Sequence, residues 1–112
     1  MNNRLEALLG MYEKDPKDSF LMYGIALEYF SAGKFEESKF FFEQLLESDP
    51  KYVPAYMQYA RLKEKQNDID GAKKLYRQGI KIANEAGDKH AAKEMEEFLD
   101  ELEWKWNLWN IS

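Results

Sequence analysis

The tripeptide Asp15-Pro16-Lys17 returns as Asp49-Pro50-Lys51, 34 residues further along the chain. A chain that repeats itself at a fixed period of this length builds small units that cannot bury an apolar face alone. They stack and share a core. Laid over each other at that offset, the two segments keep chemical class better than identity. Ala26 falls on Ala60, Lys39 on Lys73 and Gln44 on Gln78. Phe35 falls on Ile69, Phe41 on Leu75, Phe42 on Tyr76 and Leu46 on Ile80. Gly33 falls on Asn67, the next best residue for a positive φ.

Each unit reads as two helices joined by a tight turn. Leu21, Ile25, Glu28 and Tyr29 follow helical spacing; Ala32-Gly33-Lys34 breaks it, and Phe35, Phe42, Leu45 and Leu46 resume it. Asp49-Pro50 stops the second helix, because proline disfavours helical φ/ψ in the residue before it. In the next unit Pro54 sits where a first-turn proline is tolerated. Ala55, Tyr56, Tyr59, Ala60 and Leu62 carry that helix, Asn67-Asp68 turns the chain, and Ile69, Ala72, Leu75, Tyr76 and Ile80 form the next apolar stripe. Leu5, Leu8, Met11 and Tyr12 precede Asp15-Pro16 as the later second helices precede their turns, so residues 3–14 read as half of a truncated repeat. After Ala86-Gly87-Asp88, a long helix carries Ala91, Met95, Phe98, Leu99, Leu102, Trp106 and Trp109 at steps of three and four. Its other face is acidic, which suits a terminal cap. The expected fold is all-α, with about six helices and no sheet. The expected layout is a single domain over residues 1–112, with a half-repeat helix at 3–14, repeats at 19–52 and 53–86, and a capping helix at 88–109.

At 112 residues the chain has the length of one domain, and 45% hydrophobic residues suffice for a packed core. There is no cysteine and one histidine, which excludes disulfides, thiolate nucleophiles and sites built from several histidines or cysteines. The formal net charge of −5 argues against general nucleic-acid binding. No signal-peptide pattern follows the N-terminal residues MNNRLEALLG, and no apolar run approaches the ~20 residues of a membrane span. The chain is expected to be soluble and cytoplasmic.

A helix–turn–helix unit of 34 residues has the period of the tetratricopeptide repeat. The first repeat offers Met22, Ile25-Ala26, Tyr29, Ser38, Phe42 and Pro50 for that family's pattern; the second offers Tyr56, Tyr59-Ala60, Lys63, Ala72 and Tyr76, with Asn84 where the closing proline would stand. The sequence resembles a tetratricopeptide-repeat protein over residues 19–84, and the flanks resemble half-repeats. The early tryptophan is missing, Lys63 replaces a tyrosine and Ser38 replaces an alanine. The resemblance implies a right-handed superhelix whose first helices line a concave groove. It would place Phe20, Tyr23, Leu27, Phe30 and Ser31 in that groove from the first repeat, and Pro54, Met57, Arg61, Glu64 and Lys65 from the second. Ala91, Met95, Phe98 and Leu99 of the last helix would face the same way. Members that grip the terminal carboxylate of chaperone tails use lysine and asparagine at groove positions. Tyr23 and Leu27 occupy the matching places here, so that clamp is not expected.

Nothing in the sequence resembles catalytic machinery, and no cofactor is expected. The six glycines are scattered and make no phosphate-cradling loop. His90 and Glu94 share a helix face, but two ligands are too few for a structural metal site. The carboxylates from Glu94 to Glu103 lack the loop geometry of a calcium site and read as a solvated face. The expected function is a non-catalytic protein-interaction module, taking a peptide or helical segment in its groove. The partner is a protein, or a second copy of the chain.

Charge is unevenly distributed. Residues 1–50 hold 5 bases and 10 acids, residues 51–93 hold 10 bases and 5 acids, and residues 94–112 hold 1 base and 6 acids. Two readings fit: the acidic last helix complements the basic second repeat, or the basic repeat receives an acidic peptide. All three tryptophans lie in the tail, where a helix would place Leu102, Trp106 and Trp109 on one side and Trp104, Leu108 and Ile111 on the other. One side can pack on the second repeat. The other needs cover, since one tryptophan buries roughly 150–250 Å². Folding back over the chain's own groove, self-association that fills a neighbour's groove, a membrane-surface anchor, a partner protein and disorder all remain open from sequence.

Overall fold

The computed structural model describes residues 3–111, and the side chains of Trp106, Trp109, Asn110 and Ile111 lie outside the described set. Six α-helices follow one another: α1 (Asn3–Lys14), α2 (Ser19–Ser31), α3 (Phe35–Ser48), α4 (Val53–Lys65), α5 (Ile69–Glu85) and α6 (Lys89–Ile111). No strand occurs among the described residues. This is the all-α, six-helix architecture expected from the period.

The turns explain the helix ends. Gly33, Asn67 and Gly87 take positive φ values of 75°, 62° and 76°. After each, the chain folds back in the same way. The Lys34 N–H donates to the Tyr29 carbonyl at 2.9 Å, that of Asp68 to Lys63 at 2.9 Å and that of Asp88 to Ala83 at 2.8 Å. Gly33, Asn67 and Gly87 themselves donate to Phe30, Glu64 and Asn84. These paired bonds satisfy carbonyls that a helix end would otherwise orphan. After Asn67 and Gly87 the next residue is an aspartate that starts the following helix, whereas Lys34 begins α3 without a side-chain cap. Asp68 Oδ1 accepts from the Gly71 N–H at 2.9 Å, and Asp88 Oδ1 from Ala91 at 3.1 Å. Asp18 does the same for α2, accepting from the Leu21 N–H at 3.0 Å. α1 ends just before Asp15-Pro16, and Asp49 caps the end of α3.

The chain forms two compact units, one ending at Ala55 and the other beginning at Tyr56. In the first, α2 packs on both α1 and α3. Its core is Leu21, Met22, Ile25, Ala26, Phe42 and Leu45. Phe41 lies edge-on to Tyr12 at 5.3 Å and stacked on Tyr29 at 5.9 Å between ring centroids. Ser38 is fully buried, and its hydroxyl donates to the Ala26 carbonyl at 2.8 Å. In the second unit α5 packs on α6. Tyr56, Tyr59, Ala60, Leu62, Ala72, Tyr76, Ala83, Ala92, Met95 and Leu102 are buried. Gly79 of α5 lets Tyr56 and Met95 approach its backbone closely. No helix among the described residues is long and apolar enough to cross a membrane.

Candidate functional site

Phe20, Tyr23, Leu27 and Phe30 are spaced by three, four and three residues along α2 and so share one helix face. The structure grades them. Phe20 is 70% exposed. Tyr23 is half-buried, its ring 5.4 Å from that of Tyr52 at an interplanar angle of 53°. Leu27 is half-buried, and Phe30 lies edge-on to Phe35 at 5.8 Å. Ser31 is exposed at the helix end. Thus Phe20 and Tyr23 present themselves to solvent, while Phe30 contributes to packing between α2 and α3.

Tyr52 sits in the segment between α3 and α4, beside two carboxylates that the local turns hold in place. Asp18 caps α2, and the Ser19 hydroxyl donates to Asp49 Oδ2 at 2.7 Å. Burial raises the Tyr52 phenol above its ordinary pKa, and the charges of Asp49 and then Asp18 raise it further. Burial raises Tyr23 as well, with a smaller contribution from Tyr52.

In the second unit Met57 and Glu64 are half-buried, and Arg61 and Lys65 are exposed. Pro54, in the first turn of α4, is exposed too. Arg61 holds its guanidinium 5.8 Å from the Phe98 ring centroid. No carboxylate pairs with it among the described residues. Glu64 is engaged: its Oε2 accepts from the Tyr76 hydroxyl at 2.5 Å. Tyr76 is fully buried and stacks on Phe98 at 5.8 Å and 21°. Burial first, and then the hydrogen bond and charge of Glu64, push the Tyr76 phenol far above its ordinary range, while Arg61 opposes the shift. The result is a ring platform with a guanidinium on its open side and a carboxylate fixed one helical turn away.

The resemblance would turn Met95 toward the groove with Ala91, Phe98 and Leu99, but Met95 is fully buried against Gly79. Of the residues expected on that face of α6, Phe98 is the one that meets an α4 side chain of the set, Arg61. Tyr52 and Tyr76 were not singled out as site residues. Tyr52 escapes a search by helical spacing because it lies in a turn, although it stands 34 residues after Asp18 in the repeat frame. His90 lies beside Lys93, Glu94 and Glu97 in a shallow depression, and no group of three or more metal-ligating side chains occurs among the described residues.

In the tail, Trp104 and Leu108 are 64% and 56% exposed, four residues apart on a helix that continues without a break through Ile111. The expected contacts of Trp106, Trp109 and Ile111 lie outside the described residues. The acidic last helix does meet the basic second repeat, at Arg77 and Glu103, 3.5 Å apart.

The tetratricopeptide-repeat family profile matches residues 29–95. A TPR repeat-containing protein of Pseudomonas aeruginosa is 31% identical over 99 residues, covering 88% of this chain and 94% of that one. The solution structure of a tetratricopeptide repeat domain protein from Salinibacter ruber is 32% identical, with a TM-score of 0.76 over 80% of this chain and 90% of its own. Helical packing of this kind defines a repeat protein of paired antiparallel helices, and the chain belongs to the tetratricopeptide-repeat family. Its fold recurs at lower identity in two complexes. The TPR2B domain of yeast Sti1, in a complex with pHsp70, has a TM-score of 0.84 at 18% identity, over 90% of this chain and 81% of its own. PcrH, in complex with the chaperone binding region of PopD, also has 0.84 at 15% identity, over 90% of this chain and 77% of its own.

Proposed function

We propose that this chain is a non-catalytic protein-interaction module of the cytoplasm that binds a peptide or helical segment through the first helices of its repeats. The residues assigned to contact it are Phe20, Tyr23, Leu27 and Phe30 of α2 and Met57, Arg61, Glu64 and Lys65 of α4. The observation that carries this reading is Arg61. Its guanidinium rests on a ring and meets no carboxylate among the described residues, so its forked donors remain available to a ligand. Phe20 supports it, since a phenylalanine ring this open adds nothing to its own core. Family membership supports it too, as do the complexes of Sti1 and PcrH on the same fold. Arg61 suits a carboxylate on the ligand, and Phe20 with Tyr23 suits an apolar or aromatic side chain. Selection of peptides from a random display library on the intact chain tests the reading. Enriched peptides that bind the wild type and lose affinity on substitution of Tyr23 and Arg61 are the expected outcome. Failure to enrich any peptide counts against it.

Trp104 and Leu108 favour a second reading, a homo-oligomer in which the tryptophan-rich end of α6 occupies a neighbour. Exposed tryptophan is costly to leave in water, and a second copy is an available cover. Light scattering on a sizing column separates the two readings, since a strict monomer at high concentration removes the oligomer.

A further inference from the structure

The first unit carries an aromatic surface with acids around it. Phe20 and Tyr23 lie on one face of α2, and Tyr52 leans against Tyr23 at 53°, so the two rings form an open wedge rather than a closed stack. Asp18 and Asp49 flank them, each using one oxygen structurally. Asp18 Oδ1 accepts from the Leu21 N–H and Asp49 Oδ2 from the Ser19 hydroxyl. Neither forms an ion pair among the described residues, although Lys17 precedes Asp18 and Lys51 lies two residues after Asp49. Each therefore has an uncommitted oxygen beside the rings. The hydroxyls of Tyr23 and Tyr52 make no hydrogen bond among the described residues.

We propose that Phe20, Tyr23 and Tyr52, flanked by Asp18 and Asp49, form a docking site for an arginine or lysine side chain of the bound protein segment. The proposal rests on the peptide-binding reading for its biological occupant, but the site's chemistry does not depend on it. Ring faces are electron-rich and attract cations, and a guanidinium can lie on a ring while its edge reaches a carboxylate. A neutral apolar side chain would gain the rings and leave both carboxylates without a partner. An acidic one would be repelled. Charge complementarity extends beyond the patch: residues 1–50 carry 10 acids against 5 bases, so this end of the chain attracts a basic segment before contact. The first unit thus offers carboxylates and rings, and α4 offers a guanidinium that meets no carboxylate among the described residues.

Titration of the intact chain with N-acetyl-arginine amide, followed by the ring-proton resonances of Phe20, Tyr23 and Tyr52, tests this. N-acetyl-norleucine amide serves as the uncharged control. The expected result is saturable shifts confined to these three rings for the arginine probe, strongly reduced for norleucine and weakened by salt. In the D18N/D49N double variant, arginine binding should weaken roughly three- to tenfold. Asparagine still accepts both structural hydrogen bonds, so the fold is retained. Equal shifts from norleucine overturn the proposal without any variant. Unchanged arginine binding in D18N/D49N overturns it too. So does movement of the same rings on simple dilution of the protein, because a second copy would then be the occupant. Enriched display peptides without basic residues would sink this site and leave the peptide-binding module standing. Loss of all peptide enrichment with arginine shifts intact would sink the module and leave the cation site.

Discussion

Tyr76 of α5 donates its hydroxyl proton to Glu64 of α4 at 2.5 Å, from a ring that is otherwise wholly buried. The bond joins the two helices of one repeat at its polar edge. It also explains why Tyr76 occupies the position where the first repeat has Phe42. A phenylalanine fills the same space, but only a tyrosine satisfies the Glu64 carboxylate from inside. Removing that donor by Tyr76→Phe should cost about 1 kcal/mol at neutral pH, because Glu64 is half-exposed and water can replace part of the bond. The pH dependence is more diagnostic. The folded chain holds the Tyr76 proton above the ordinary phenol pKa, so its contribution is complete below about pH 10 and is lost as pH rises further. Over that interval stability should fall by about 1.4 kcal/mol per pH unit for this group. Tyr23 and Tyr52 shift in the same direction and add to the slope. Tyr76→Phe should therefore flatten the alkaline limb of urea midpoint against pH, but only in part. An alkaline limb identical to wild type would show that the Tyr76 proton is not held this way.

Two glycines in helix interiors should respond oppositely to alanine. At Gly79 an added Cβ would stand 2.5 Å from Met95 Sδ and 2.7 Å from Tyr56 Cβ. The methionine end can swing aside, but a Cβ next to its own backbone cannot. Gly79→Ala should lose about 1–2 kcal/mol despite the better helix propensity of alanine. At Gly10 nothing lies within 4 Å of the added carbon. Gly10→Ala should gain about 0.5–1 kcal/mol. Ala60 is fully buried in α4, and Ala60→Leu should cost about 1–3 kcal/mol by overpacking. Urea denaturation of the three variants checks the signs. A stabilised Gly79→Ala would mean that α5 and α6 are not in close contact there.

Much of this was legible because turns announce themselves. The pairing of Gly33 with Asn67 across the 34-residue offset foretold a left-handed residue at both, and both have one. Asp49-Pro50 marked the end of α3 to the residue that caps it. Ser38, a departure from the family's alanine, is buried with its hydroxyl bonded to Ala26, a partner one helix away that no spacing rule names. Met95 shows the limit from the other side. Periodicity puts it on the apolar stripe of α6, where it is buried, but the groove position that the resemblance implies fails because Met95 packs against Gly79. Glu64 shares its face with Arg61, yet only the structure shows that Glu64 is hydrogen-bonded to Tyr76 of α5 while Arg61 lies over the Phe98 ring. Period fixes a stripe; the identity of what lies across from it depends on helix rotation, which a single sequence does not encode locally.

Arg61 and Tyr23 are the pair to remove when testing peptide binding. Arg61 is exposed, so Arg61→Ala should leave stability within about 0.5 kcal/mol apart from lost contact with Phe98. Tyr23→Ala gives up its packing on Tyr52 and should cost more, about 1–2 kcal/mol. The double variant should retain helical circular dichroism and lose capture of display-selected peptides. Fluorescence polarisation of a labelled selected peptide measures this directly. Undiminished affinity in a folded double variant would place the ligand on another surface.

Trp104 and Leu108 sit one turn apart on an exposed side of α6, and the Glu101–Lys105 ion pair at 3.0 Å lies along the same stretch. That pair is exposed and contributes little, so the stretch is held helical mainly by its own backbone. Two consequences follow if a second copy covers this side. Trp104→Lys with Leu108→Lys should halve the mass seen by light scattering, because charged side chains cannot be buried in an apolar contact without a partner. The same double substitution should leave the thermal midpoint of the resulting monomer close to that of wild type at dilutions where wild type is also monomeric, since neither residue is part of the buried core. Deleting residues 104–112 should give the same loss of mass while Leu102, which is buried, keeps the rest of α6 docked. A wild-type chain that is monomeric at every concentration, and equally stable after the deletion, would remove self-association from the function of this tail.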